Sequence, residues 1–108
     1  MKALDFNTIK KKYLTVTLPD ENKTKLMLRT PTKRILNEFI NLEKILEDGT
    51  DDDGLEEIYD TLAIIMSHNK TGRKVETETL IELMDMEDIV IFLQSYMDFV
   101  SEIVALKN

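Results

Sequence analysis

A chain of 108 residues that is 43% hydrophobic and 32% charged is long enough for one folded domain with a single modest core, and too apolar for a disordered tail. It has no cysteine, which excludes a disulfide framework, a thiolate metal site and a Cys nucleophile. The net charge of −7 is unevenly spread: residues 1–34 hold nine Lys and Arg against three Asp and Glu, and residues 35–108 hold five against eighteen; Lys10-Lys11-Lys12 is the one short basic run and no nucleic-acid motif surrounds it, so a solvated, self-solubilising surface is the simpler reading, with head-to-tail attraction between copies the second.

Met1-Lys2-Ala3-Leu4-Asp5 runs straight into polar sequence, without the apolar core of a secretion signal. No apolar run approaches the roughly 20 residues of a membrane span, so a cytoplasmic protein with no membrane partner is expected. Residues 1–11 read as a loosely ordered arm that could dock Phe6. Residues 12–30 read as a β-hairpin. Leu14, Val16 and Leu18 alternate with Tyr13, Thr15 and Thr17. Pro19-Asp20-Glu21-Asn22-Lys23 is turn chemistry, and the return strand places Leu26 and Leu28 on one face. A lone hairpin is marginal in water, so this one must lean on a helix or on a second copy, and its free edges invite strand addition.

Thr30 then suits a helix N-cap and Pro31 the first helical position. Ile35, Leu36, Phe39, Ile40, Leu42, Ile45 and Leu46 follow a helical period that Gly49 stops. The acidic loop of residues 47–54 invites a calcium reading, but its register fails. With Gly54 as the obligatory glycine, the first ligand position falls on Gly49 and the closing Glu becomes Asp60. Asp52 or Asp53 as a cap on the next helix is the simpler reading. That helix runs from about Gly54 to Asn69 on Leu55, Ile58, Tyr59, Leu62, Ile65 and Met66. His68, the single histidine, stands at its end as a capping residue with no catalytic neighbours. A short helix over Glu78–Met84 follows, anchored by Leu80, Ile81, Leu83 and Met84. Asp85 caps the last helix, with Met84 and Ile89 placed as a hydrophobic staple.

The last helix, Met86 to Leu106, is the longest and the most apolar. Ile89, Leu93, Tyr96, Val100 and Ile103 form its central line, and its apolar arc spans roughly 200°, about twice the width of an ordinary amphipathic stripe. Such a helix is expected to be gripped by two neighbours, or to keep part of its arc open for a partner. Ile91, Phe92, Met97, Phe99 and Leu106 lie on the flanks of the arc or beyond them, Ile91 among the polar residues, and are the candidate partner contacts. The whole predicts a mostly helical α+β fold in a single domain over 1–108. An arm and hairpin fill 1–30, and a bundle of about four helices fills 31–108, with the last helix long and central. No P-loop, dinucleotide fingerprint, zinc motif or nucleophile elbow is present, and the paired carboxylates lie on exposed faces. These features give no catalytic residue, no metal and no cofactor, and point away from an enzyme.

Three stretches carry a likeness to known proteins. They are Y-L-T-V-T-L-P-D-E with L-M-L-R-T-P-T-K, then I-I-M-S-H-N-K-T-G-R-K-V, then L-M-D-M-E-D-I-V-I-F-L-Q-S-Y-M-D-F-V. Together they resemble the small tail assembly chaperones of tailed bacteriophages and of prophages in Gram-positive bacteria, along nearly the whole chain. The resemblance implies a protein without enzymatic activity. It implies binding to the long, aggregation-prone tape measure protein, which is kept soluble while tail tube protein is recruited around it. It implies self-association, a place in the host bacterial cytoplasm and absence from the mature virion. Alternatives from other classes are a structural phage component of the head–tail connector type and a small regulatory protein-binding module.

Overall fold

The computed structural model describes residues 3–49 and 51–105. Its elements run β1 (Tyr13–Thr17), β2 (Lys25–Arg29), α1 (Lys33–Asp48), α2 (Asp52–Ser67), α3 (Thr77–Leu83) and α4 (Met86–Ala105). The expected fold class is observed: an antiparallel hairpin followed by four helices. The arm ahead of β1 leaves Leu4 and Phe6 exposed rather than docked. It folds on itself instead, with the Asn7 N–H donating to Asp5 Oδ1 at 2.9 Å and the Thr8 N–H to the Asp5 carbonyl at 3.1 Å.

The hairpin pairs Leu14 with Leu28 and Val16 with Leu26, which puts the apolar side chains of both strands on one face. Asp20 closes the turn by accepting from the Thr24 hydroxyl at 2.6 Å and the Thr24 N–H at 2.8 Å. Those two bonds, the hydroxyl's first, hold the Asp20 carboxyl below its ordinary pKa. Two strands alone are marginal. The segment after α2 steadies them. Arg29 N–H donates to the His68 carbonyl at 3.0 Å, Lys70 N–H donates to the Met27 carbonyl at 2.9 Å, and Leu28 bridges to Asn69. The buried Asn69 amide holds that segment in shape. Its nitrogen donates to the Met66 and Arg73 carbonyls at 2.9 and 2.8 Å, and its oxygen accepts from the Arg73 N–H at 2.9 Å and the Thr71 hydroxyl at 3.1 Å. Gly72 supplies the positive φ of 72° inside this turn.

The helix starts differ from expectation by one to two residues. α1 is capped by Thr32, whose hydroxyl accepts from the Ile35 N–H at 3.3 Å, not by Thr30. The Thr30 carbonyl is already engaged: His68 Nε2 lies 3.2 Å from it and must carry the proton, because a carbonyl only accepts. α2 is capped by Asp51, which accepts from the Gly54 N–H at 2.8 Å, and this leaves Asp52 and Asp53 in the first turn, where the helix dipole favours them. His68 does stand at the α2 C-cap. Asp85 caps α4 as expected and forms a reciprocal box with Asp88: the Asp88 N–H donates to Asp85 Oδ1 at 2.8 Å and the Asp85 N–H to Asp88 Oδ2 at 3.1 Å. Tyr59 Oη donates to the Met84 carbonyl at 2.6 Å, which ties the α3–α4 corner to α2. Burial, aided by Asp85 and Asp88, raises the Tyr59 pKa.

One core joins all these elements. Leu26 and Leu28, Phe39 and Leu42, Ile58, Leu62 and Met66, Leu80, and Ile89 and Tyr96 contribute its most enclosed side chains. α4 is the longest helix, and its aromatic row reaches into this core. The closest backbone approaches converge on α2, which touches α1, α3 and β2. Tyr96 stacks at 5.6 Å on Phe92 and meets Phe39 and Phe99 at 4.9 and 6.2 Å between ring centroids. Ile40 and Ile81, expected inside, are exposed, because Ile35, Phe39 and Leu42 on α1 and Leu80 on α3 already fill the inner faces.

Two consequences are measurable. Asn69→Ala leaves buried carbonyls and the Arg73 N–H unpaired and lowers stability by about 1–3 kcal/mol, whereas Thr71→Ala, which removes one of its four bonds, costs less; urea unfolding at neutral pH compares them. Tyr96 Oη is buried with no hydrogen-bond partner among the described residues, and burial pushes its pKa up to about 12. An unfolded tyrosine ionises near about 10. The stability tied to the neutral phenol is therefore complete below that pH and is lost as the pH climbs toward 12. Tyr96→Phe is expected to be at least as stable as the parent at pH 7 and to fall less steeply above pH ~10 in an alkaline denaturation series.

Candidate functional site

The two edges of the hairpin are not alike. Antiparallel pairing sends the N–H and C=O groups of alternate residues to opposite sides. The Leu18 N–H donates to Thr24 at 2.8 Å, so Leu14, Val16 and Leu18 face β2, while Tyr13, Thr15 and Thr17 face away. On β2 the outward Met27 carbonyl and Arg29 N–H are taken by the segment after α2. On β1 the outward groups of Tyr13, Thr15 and Thr17 have no backbone partner among the described residues. β1 is the open edge.

Beside that edge lies α4. Lys12 Nζ sits 3.7 Å from Glu102 Oε1, while Leu18 and Pro19 lie by Met84 and Asp88 at the other end, so β1 runs antiparallel to α4. Between them is an apolar groove of about 250 Å³, floored by Val16, Leu18 and Phe92 and walled by Met84, Ile91 and Ser95. Its chemistry is that of a peptide site. Unpaired backbone groups would take up an extended strand, and an apolar trough alongside would receive alternate side chains. Among the described residues no group of three or more His, Asp or Glu is placed to hold a metal ion, and no helix is long and apolar enough to cross a membrane.

The candidate contact residues separate in this structure. Ile91, 55% exposed, stands on the wall of the groove. Met97, 39% exposed, opens on another face of α4 beside Glu43 of α1. Phe92 and Phe99 are 5% and 6% exposed, and both pack on Tyr96, so within the chain they are core residues and not a free contact surface. The physical reason is rotational. The buried line of α4 is Ile89, Phe92, Tyr96 and Phe99, turned from the expected line through Leu93 and Val100, because the larger aromatic rings take the deepest positions. Phe92 still reaches the groove floor with one edge. Leu106 lies outside the described residues.

The sequence offers both hairpin edges for strand addition but does not choose between them, since only the long-range seating of His68–Lys70 on β2 decides which edge stays free. The one sequence signal is Pro19, which cannot extend a ladder and so marks where the edge stops. Comparison with known proteins returned no match: no family model, no curated protein and no solved structure aligns with the chain. The functional reading therefore rests on the residues and on this surface.

Serine substitutions separate the core from the surface. Phe92→Ser and Phe99→Ser are each expected to lose about 3–5 kcal/mol, the cost of truncating a buried ring. Ile91→Ser and Met97→Ser are expected to stay within about 0.5 kcal/mol of the parent, as exposed positions do. Chemical unfolding of the four variants measures the contrast.

Proposed function

We propose that the chain is a non-catalytic tail assembly chaperone of a phage or prophage. In this reading it binds the tape measure protein in the host bacterial cytoplasm, keeps it soluble while tail tube protein is recruited, and is absent from the finished particle. The resemblance carried by the hairpin, by the Asn69–Lys74 turn and by the corner opening α4 supports this reading. The observation that carries it furthest is the open β1 edge beside an apolar groove, set on a surface whose net charge is −7. A holdase needs apolar surface that a client can reach on a body charged enough to stay in solution, and this surface meets both needs. Backbone pairing along an edge is tolerant of sequence, which suits a client presenting many similar segments. Self-association accompanies this reading, favoured by a positive front half and a negative rear half.

The test is co-expression with the product of the next large open reading frame. A long, helix-rich protein that turns soluble only in the presence of this chain is the expected result. Ile91→Asp, which puts a charge on the groove wall, and Thr15→Pro, which removes one outward N–H without touching the β1–β2 ladder, are each expected to lower the recovered complex by about tenfold while the chain stays folded. A client equally insoluble with and without the chain would sink the proposal.

A further inference from the structure

α4 carries a second apolar stripe, of which only Leu93 and Val100 touch the core and none lines the groove. Met86, Val90, Leu93, Met97, Val100 and Val104 follow one another at steps of four and three along the helix, which is heptad spacing. At about 100° per residue the stripe is centred roughly 100° around the helix from the core line Ile89, Phe92, Tyr96 and Phe99. Leu93 and Val100 are half-buried on the side of the core, while Met86, Val90, Met97 and Val104 are exposed. Four exposed apolar side chains in register over nearly the full length of a helix form the seam onto which a second helix packs.

Charge decides which helix. Met86–Ala105 contains Glu87, Asp88, Asp98 and Glu102 and no Lys or Arg. Beside Met97 there is a depression of about 230 Å³ lined by Glu43, Leu93, Gln94, Met97 and Asp98, with two carboxylates and no cation. A second copy of α4 on this seam would set Glu87 and Asp98 against their own counterparts, with no Lys or Arg on α4 to offset them. We propose that this stripe docks an amphipathic helix of another protein, one with apolar residues at heptad spacing and Lys or Arg on its flanks. A Lys or Arg of that helix lays its methylene stem over Met97 and brings its cationic head to Glu43 and Asp98. The inference rests on the chaperone reading only for whose helix it is, a client's; the chemistry of the seam stands on its own.

The probes are three labelled synthetic peptides of three heptads each, titrated into the full chain and read by fluorescence anisotropy. The first carries Leu at the seam positions and Lys on the flanks, the second has Glu in place of Lys, and the third scrambles the first. The Lys heptad peptide is expected to bind at least about tenfold tighter than either control and to weaken as salt rises. Val90→Ser with Met97→Ser should cost about tenfold in affinity at unchanged thermal stability, and Glu43→Gln with Asp98→Asn should flatten the salt dependence. Equal binding of the scrambled peptide would mean general attraction to an acidic protein and overturns the proposal. So does an unaffected Val90→Ser, Met97→Ser variant, or a self-associated chain that this variant dissociates while no peptide binds. Peptides that fail where the co-expressed client is rescued sink this inference alone; peptides that bind where no client is rescued sink the chaperone reading alone.

Discussion

The hairpin is too small to stand alone, and its attachment to the helices depends on the short segment His68–Lys70. That segment ends α2, turns on the buried Asn69 amide and lies along β2 as a partial third strand. Every polar atom of the Asn69 side chain is engaged, which is how a buried amide escapes the cost of lost water. His68 adds a bond to Thr30 and so fixes where the chain leaves β2 and where α1 can begin. One turn thus orients the sheet, sets the start of the next helix and covers one of two sheet edges. The other edge is left open as a consequence.

α4 is held to this frame by side chains more than by close backbone contact. Phe92, Tyr96 and Phe99 stack in a row, and Phe39 of α1 meets the middle ring. Large rings hold the helix axis away from its neighbours, and that separation has two effects. It leaves room for the groove between α4 and β1, and it lets the rest of a wide apolar arc remain in water. The excess breadth of the arc is therefore divided among three environments: a buried row, a groove wall at Ile91 and an exposed stripe through Val90, Met97 and Val104.

Much of this was legible from residue order. Alternation over Tyr13–Leu18, the turn at Pro19–Lys23, Gly49 as a stop and Asp85 as a cap are local signals, and local signals survive into the structure. The caps of α1 and α2 were misplaced by one or two residues because tertiary bonds intervene: the Thr30 carbonyl serves His68, and Asp51 reaches Gly54. For α4, period alone could say that the arc was wide. It could not say which 100° of the arc would be buried, since that depends on which side chains best fill a cavity built by α1, α2 and β2. Ring size settles it in favour of Phe92 and Phe99 over Leu93 and Val100. The free edge of β1 was the least legible feature, because it is defined by a partner that the other strand has and this one lacks.

An open strand edge is ordinarily a hazard, since it can pair with any extended chain, other copies included. Here the hazard is bounded on each side. Pro19 stops the edge at one end, Lys10, Lys11 and Lys12 at the other would set like charges together in a parallel pairing of two copies, and the edge in between is only five residues long. Two identical edges meeting antiparallel would bring the basic run of each copy to the proline end of its partner, against Asp88 and the acidic start of α4. Charge therefore permits that antiparallel pairing, and it is limited by Pro19 and by the shortness of the edge. A client segment has a further source of binding that a second β1 lacks: it can place alternate side chains in the trough walled by Ile91 and Met84, whereas the inward side chains of β1, Leu14, Val16 and Leu18, are already committed to their own core. The asymmetry that makes β1 a usable edge for a partner is thus the same burial that makes it a poor partner for itself.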